Sequence, residues 1–333
     1  MTTKNMSVSS IHELTKSTLM QFGADAENAG AVADTVSMAE RDGCLSHGLF
    51  RLPGYVATLK SGKVNGKARP TVKNLAPAVV QVNGHNCFAP HAVKAGRAAL
   101  IEAANTCGVA IMPMIGVHHF AALWPDLEEI CESGLAAFAC VSYKPSVIPA
   151  GGRKPLYGTN PIAFGWPRPG KPPMIFDMAT AVMARGEVAI SAREGHTLPE
   201  GVGVDADGNP TTDPNEILKG ALLAFGGYKG SSISMMVELL AGAMIGESFS
   251  FEAAERDLAD GGPPQGGEFL FAINPSLVRG DGDWDAHAEG FFDKVYEQDG
   301  TRLPGDRRYQ NRAKHDKDGV EVSQIVLDKI AAL

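Results

Sequence analysis

The chain has 333 residues, 44% hydrophobic and 20% charged, with 30 Lys plus Arg against 38 Asp plus Glu and a net charge of -8. That length suits two lobes or one large mixed domain, and an acidic chain without a basic tract is not built to bind nucleic acid. Five cysteines with no C-x-x-C pair point to free thiols in a reducing compartment rather than to a disulfide framework or a zinc site. MTTKNMSVSS has no apolar export core, and the most apolar long run, SISMMVELLAGAMIG, is short and carries Glu238, so a cytoplasmic protein without a membrane span is expected.

In chain order, Ser10-Ile-His-Glu13 fits a capping box for a helix that stops at Gly23. Asp25 caps the next helix, through AENAGAVADTVSMAER to Gly43, and LPGYVATLKSG reads as a short helix opened near Pro53. VVQVNGHN (79–86) predicts a strand running into a hairpin turn. PHAVKAGRAALIEAANTCG is a helix, VAIMPMIGV a buried strand and HHFAALWPDLEEICESG a broken helix. Four further strands lie in LAAFACVSY, NPIAFGW, MIFDMAT and GEFLFAINP. DAHAEGFFDKVYEQDG is an amphipathic helix, TRLPGDRR a basic loop, and VEVSQIVLDKIAAL the last helix. The order mixes helices and strands throughout, so the class is α/β in the broad sense.

Five motifs invite a chemical reading. GVGVDA (201–206) matches the dinucleotide fingerprint by letters, but Asp207-Gly208-Asn209-Pro210 follows it where a helix is required, which disfavours a Rossmann domain. GGYKGSS (226–232) opens an apolar helix: either an ordinary glycine-rich entry or an anion site in which Lys229 adds charge to the helix N-terminus. Ser231, Ser234 and Glu238 make a polar stripe along that helix whose members would satisfy one another inside the protein. His118-His119 follow a strand directly; adjacent histidines do not share a metal, which leaves a structural or a ligand-facing role. TRLPGDRR, with Arg302, Arg307 and Arg308, is a solvated turn or a phosphate clamp. In ERDGCLSHGLFR, two turns of helix would set His47 and Arg51 on one face, either as a surface pair or as an acid beside a carboxylate anchor. Ser46 beside His47 does not make a hydrolase, because adjacent residues rarely reach nucleophile–base geometry and no G-x-S-x-G elbow exists.

Taken together, DGCLSHGLFRLPGY, HHFAALWPDLE, YGTNPIAFGWP, FDMATA, ARGE, AREGHTLPEGVGVDADG, FGGYKGS and RLPGDRR resemble the malate/L-lactate dehydrogenase family of NAD(P)-dependent oxidoreductases. HHFAALWPDLE and AREGHTLPEGVGVDADG are most similar to its branch of Δ1-piperideine-2-carboxylate/Δ1-pyrroline-2-carboxylate reductases.

The resemblance implies a non-Rossmann cofactor fold with a mixed, largely antiparallel sheet and surrounding helices. The expected units are a helical domain of residues 1–72 joined by helices in 285–333, and a cofactor- and substrate-binding domain of residues 73–284. It further implies a homodimer that reduces cyclic imino acids to L-pipecolate or L-proline, with NADPH preferred and NADH possible. By position it makes His47 the proton donor, Ser46 its relay partner, Arg51 the carboxylate anchor and Thr159 a substrate contact. Glu187 stands where the relay's Asp is expected, and Tyr228 where a His is expected. The cofactor would lie against His119, Phe120, Ala121, Ala122, Leu123, Asp177, Met178, Ala179, Arg185, Gly186, Tyr228, Lys229, Arg302, Leu303, Pro304, Gly305, Asp306, Arg307 and Arg308. The alternatives are a 2-hydroxy acid dehydrogenase of the same family and a non-enzymatic protein that holds an anionic metabolite.

Overall fold

The computed structural model describes residues 2–333. Its centre is a seven-stranded sheet in the order Thr71–Ala76, Val79–Phe88, Val109–His118, Gln265–Ile273, Ala136–Val141, Ile162–Trp166, Met174–Met178. One neighbouring pair, Val79–Phe88 with Val109–His118, is parallel, and helix Ala89–Cys107 makes its crossover. Every other pair in the sheet is antiparallel. The chain is therefore a mixed, mainly antiparallel α/β protein, and no strand–glycine loop–helix unit of the Rossmann kind organises it. GVGVDA itself forms part of a small hairpin, Gly203–Val204 with Pro210–Thr211, whose turn Asp205 closes by accepting bonds from the Asp207 and Asn209 amides.

The core strand Gln265–Ile273 is buried on both faces, as its uninterrupted run of Phe269, Leu270 and Phe271 suggests, with Glu268 the one charge inside it. One face carries Val82, Met112, Met114, Ala139 and Leu270 in a single apolar cluster against helices Ala89–Cys107 and Trp124–Glu132, the latter contributing Leu127. A second cluster joins Ile11, Leu19, Val32, Leu52 and Val56 from the N-terminal helices to Val320, Val322, Val326 and Ile330 from the C-terminus. The C-terminal segment divides its contacts. Helix Trp284–Tyr296 packs Trp284 edge-on against Trp166 of the sheet, while the last strand and helix join the N-terminal layer.

Several local expectations change in the folded chain. The helix N-cap is Ser7, whose side chain accepts from the Ser10 amide, so the helix Val8–Gln21 begins earlier than the Ser10–Glu13 box implies. The hairpin lies before Val79–Phe88, at Pro77-Ala78; NGHN is an irregularity inside the strand, with His85 and Asn86 at positive φ. Val320–Ser323 is a strand paired with Thr3–Met6, and only Gln324–Ala331 is helix. TRLPGDRR is half loop: from Asp306 the chain is helical to Asp318.

Candidate active site

Residues 44–51 are not two continuous turns of α-helix. They form two short 3-10 turns, Leu45–His47 and Leu49–Arg51, broken at Gly48 before helix Leu52–Lys60 begins. The break has a cause. The Glu40 carboxylate, buried at the end of helix Ala26–Arg41, accepts a bond from the Leu49 amide at 2.7 Å, and any Cβ at position 48 would collide with it. The segment is thereby pinned from below, and its Ser46, His47 and Arg51 side chains turn into one cavity of about 1560 Å³.

At the cavity floor, Ser46 Oγ lies 2.9 Å from His47 Nδ1. Arg51 Nε donates to the Ser46 carbonyl at 2.8 Å, and its guanidinium sits 4.3 Å over the Phe120 ring. Phe120 is held by edge packing on Tyr55, which packs likewise on Phe88. Arg51 has no ion-pair partner among the described residues, although burial already disfavours its charge. A desolvated guanidinium without a counter-ion inside a cavity gives an anion a favourable partner. Burial, with the nearby Arg51, lowers His47 to about 3, so its imidazole is neutral at physiological pH.

A second side of the cavity is built from the sheet edge and the helix Trp124–Glu132. Asp177, on the edge strand, accepts from the Leu123 and Trp124 amides at 2.8 and 3.1 Å, which fixes the turn His119–Leu123 against the strand. Burial pushes the Asp177 carboxyl up despite those two bonds. Thr159 lines the cavity with its carbonyl taken by the Thr180 amide and hydroxyl, and Asn160 beside it bonds Glu238 at 2.7 Å. The polar stripe on helix Tyr228–Glu238 thus does not satisfy itself. Ser231 serves the Ala150 amide, Ser234 serves Thr180, and Glu238 serves Asn160 and Ser250, pinning the loop that carries Thr159.

The third side is basic. Arg302, Pro304, Gly305, Arg307 and Arg308 line the cavity where the helix Asp306–Asp318 begins. Arg312 one turn later clamps this helix to Asp42 and Glu128 at 2.7 Å each, and Arg308 is tied to the Ile175 carbonyl.

Of the site residues that the resemblance implies, all but four line this one cavity: Ser46, His47, Arg51, His119–Leu123, Thr159, Asp177–Ala179, Arg185–Glu187, Arg302, Pro304, Gly305, Arg307 and Arg308. Leu303 is buried behind it and Asp306 turns to Tyr296 and the Leu303 amide. Tyr228 and Lys229 do not reach the cavity of this chain; both are exposed, Tyr228 by 68%. Glu187 is exposed at the mouth and makes no hydrogen bond to Ser46 or His47 among the described residues. Gly186 beside it packs so close that a Cβ would stand 2.9 Å from Arg51 Nη2.

Sequence reading missed Tyr143, Lys144 and Asn311 in the lining, and it missed a buried cluster behind His119. His119 Nε2 lies 3.7 Å from Asp126 and 3.5 Å from Glu268. Spacing suggested no carboxylate for His119; the antiparallel pairing of Gln265–Ile273 with Val109–His118 supplies Glu268 from 149 positions away (268 minus 119). His118 is structural by contrast, buried with Nδ1 on the Pro263 carbonyl, and burial lowers it to about 4.

The cavity therefore joins an unpaired guanidinium, a neutral imidazole and a basic rim, in a volume well above what a small acid fills. That is the layout of an oxidoreductase site with room for a dinucleotide. The model of the malate/L-lactate dehydrogenase family matches residues 6–331, and the chain belongs to that family. It is 45% identical over 331 residues to the Δ(1)-pyrroline-2-carboxylate reductase of Ancylobacter novellus, covering 98% of this chain and 97% of that one. It is 45% identical over 332 residues to the Δ(1)-pyrroline-2-carboxylate/Δ(1)-piperideine-2-carboxylate reductase of Pseudomonas syringae pv. tomato, covering 99% and 96%. The crystal structure of Δ1-piperideine-2-carboxylate reductase from that organism superposes with a TM-score of 0.94 at 44% identity, covering 99% of both chains. A putative malate/lactate dehydrogenase from E. coli superposes at 0.91 with 27% identity, covering 99% and 94%. Membership of this family implies a nicotinamide cofactor. No helix among the described residues is long and apolar enough to cross a membrane.

Proposed function

We propose that this protein reduces cyclic 2-imino acids, Δ1-piperideine-2-carboxylate to L-pipecolate and Δ1-pyrroline-2-carboxylate to L-proline, with NADPH, as a cytoplasmic homodimer. The observation that carries the reading is Arg51: a guanidinium with no ion pair, stacked on Phe120 and one turn from His47 inside the cavity. The nicotinamide, when bound, supplies the hydride.

The chain's own residues do the rest. Arg51 takes the substrate carboxylate as a two-pronged partner, which fixes the carbon alpha to it. Phe120 and Phe50 offer an apolar wall for a ring. Ser46 Oγ occupies Nδ1 of His47, so Nε2 is the nitrogen that faces substrate. A carboxylate on Arg51 cancels one of the charges that hold His47 low, so substrate binding itself moves the imidazole toward proton transfer.

The basic rim of Arg302, Arg307 and Arg308 supports NADPH, because a 2′-phosphate needs cationic donors. Exposed Tyr228, Met235, Met236, Leu239 and Met244 make one apolar helix face, which supports a homodimer in which Tyr228 and Lys229 lie at or near the partner. Five free thiols, most of them buried, support a reducing compartment.

The test is kcat/KM with NADPH and with NADH for both cyclic imines, pyruvate and oxaloacetate, alongside Arg51→Lys. The imines should lead, and Arg51→Lys should chiefly raise KM for the imines by roughly 10-fold or more, since an ammonium cannot reproduce the planar fork. Pyruvate or oxaloacetate matching the imines would replace this reading with that of a 2-hydroxy acid dehydrogenase; ligand-induced stabilisation without turnover would leave a metabolite-binding protein.

A further inference from the structure

Asp126 and Glu268 are buried carboxyl groups that the reaction as described does not use. Glu268 is 0% exposed and Asp126 3%, and both Glu268 oxygens and Asp126 Oδ2 lack a hydrogen-bond partner. His119 Nε2, also without a bonded partner, faces them at 3.5 and 3.7 Å, and no Lys or Arg reaches either acid within ion-pair distance among the described residues. Three other buried acids have partners. Asp42 has Arg41 and Arg312, Glu128 has Arg312, and Glu238 has an amide and two side-chain donors. Leaving two adjacent carboxyls without a cation costs several kcal/mol each unless they share a proton or a positive ligand arrives.

Their place decides which. His119 lines the cavity beside Phe120, whose ring carries the Arg51 guanidinium. A substrate carboxylate on Arg51 therefore puts its alpha position next to the wall that this acid pair backs. Two carboxyls so close keep one proton between them and one negative charge, and burial together with Asp126 pushes Glu268 well up, which makes Glu268 the holder of the proton. The remaining charge lies in a low-dielectric wall, where it acts over several ångströms.

We propose that Asp126 and Glu268, acting through His119, are specificity-determining residues that make this cavity prefer a nitrogen cation to a neutral carbonyl. The inference rests on the imine-reductase reading. A cyclic imine is basic at nitrogen and enters as an iminium, C=N⁺–H. Hydride addition at its carbon then gives the neutral amine, which takes a proton from His47 and leaves as the ammonium. A 2-oxo acid offers an uncharged oxygen that must gain its proton as hydride arrives. Negative charge behind His119 stabilises the iminium and the ammonium product and gives nothing to the oxo acid. Asp126 and Glu268 touch neither substrate nor cofactor, so they are positioning residues in this sense.

The test uses the full-length protein and the isosteric variants Asp126→Asn and Glu268→Gln, singly and together. Asp126→Asn and the double variant remove the pair's charge and should lower kcat/KM for Δ1-piperideine-2-carboxylate by about 10- to 100-fold while changing that for pyruvate less than about threefold; Glu268→Gln, which replaces the protonated member, should change both less than about threefold. Binding without turnover gives an independent readout. In the double variant L-pipecolate should bind about 10-fold more weakly, while cyclohexanecarboxylate, which has the ring and carboxylate but no nitrogen, should bind unchanged. A parallel fall for both substrates, or equal losses for both binding ligands, would show a merely structural role and overturn the inference. So would one equivalent of Zn²⁺ or Mn²⁺ retained by the wild type and lost in Glu268→Gln, because three such donors satisfied by a cation would carry no spare negative charge. Wild-type protein that reduces only 2-oxo acids would bring down the imine reading and this inference with it. Imine turnover with unchanged discrimination in Asp126→Asn and in the double variant would bring down this inference alone.

Discussion

Arg51 and Arg312 flank the same end of helix Ala26–Arg41 and meet opposite fates. Arg312 holds Asp42 through both Nε and Nη2 and reaches Glu128 at 2.7 Å, so its charge is spent on fixing the helix Asp306–Asp318 to the body of the protein. Arg51 has a carbonyl and an aromatic ring and no carboxylate. Both are arginines in a partly buried setting. The difference lies in whether the fold supplies the counter-charge, and where it does not, the ligand must. A search for paired arginines would have ranked Arg312 first; the physics of unpaired buried charge ranks Arg51 first.

His47, whose ring shares the cavity with the unpaired Arg51, carries the largest expected effect. His47→Ala should lower kcat by about 10²–10⁴ while NADPH binding, followed by cofactor fluorescence, stays near wild type. Near-normal turnover would remove the imidazole from the reaction and leave Arg51 as an anchor for binding only.

Arg312→Leu should do the reverse. It leaves buried Glu128 without a cation and buried Asp42 with Arg41 alone, and should cost about 3–5 kcal/mol of stability, read as a lower urea midpoint. Activity per folded molecule should fall only as far as the basic rim of the cavity loosens. A variant as stable as wild type would mean that Arg41 alone neutralises Asp42.

These contrasts show what was legible in the sequence. Ser46, His47 and Arg51 fall within six positions, so a local motif carries them, and the break at Gly48 moved none of them out of the cavity. Helices such as Ala89–Cys107 were legible because their apolar spacing and closing glycine are local too. What depends on distant pairing was not. Val320–Ser323 alternates Val-Glu-Val as a strand does, but four residues give no sign of a partner, and Thr3–Met6 supplies the edge from the other end of the chain. Glu268 looks like a misplaced charge in an apolar strand until register brings it to His119. Tyr228-Lys229 had the right letters for an anion site, yet its helix turns that end to solvent, away from the cavity.

Glu40 sharpens the comparison from beneath, because it holds the unpaired region in place through the Leu49 amide. Burial pushes its carboxyl from 4.5 up to about 7, with the Leu49 bond pulling the other way. Between those values the folded chain keeps a proton that the unfolded chain has released, so stability falls as pH rises through the window and stays lower above it. Glu40→Gln keeps an acceptor for Leu49 and cannot ionise. It should flatten that dependence, gaining up to about 3 kcal/mol over wild type at pH 8 and little below pH 5. Melting curves across that range check it, and parallel curves for the two proteins would place the Glu40 titration outside the window.

The smallest effect belongs to the basic rim, where charge is exposed rather than buried. Arg307 lines the cavity from the first turn of helix Asp306–Asp318, is exposed, and has no ion-pair partner among the described residues. A cationic donor so open to water is screened, so it contributes to preference more than to affinity. Arg307→Ala should reduce the ratio of kcat/KM for NADPH over NADH by less than about tenfold, and the reduction should shrink as salt rises from 0.05 to about 0.5 M. Arg302→Ala should act in the same direction. Lys229→Ala is the control that separates the two basic candidates, because Lys229 stands outside this chain's cavity. If it changes cofactor preference more than Arg307→Ala does, the 2′-phosphate is read at the glycine-rich helix entry, and the only route to that is a cavity completed by the second subunit.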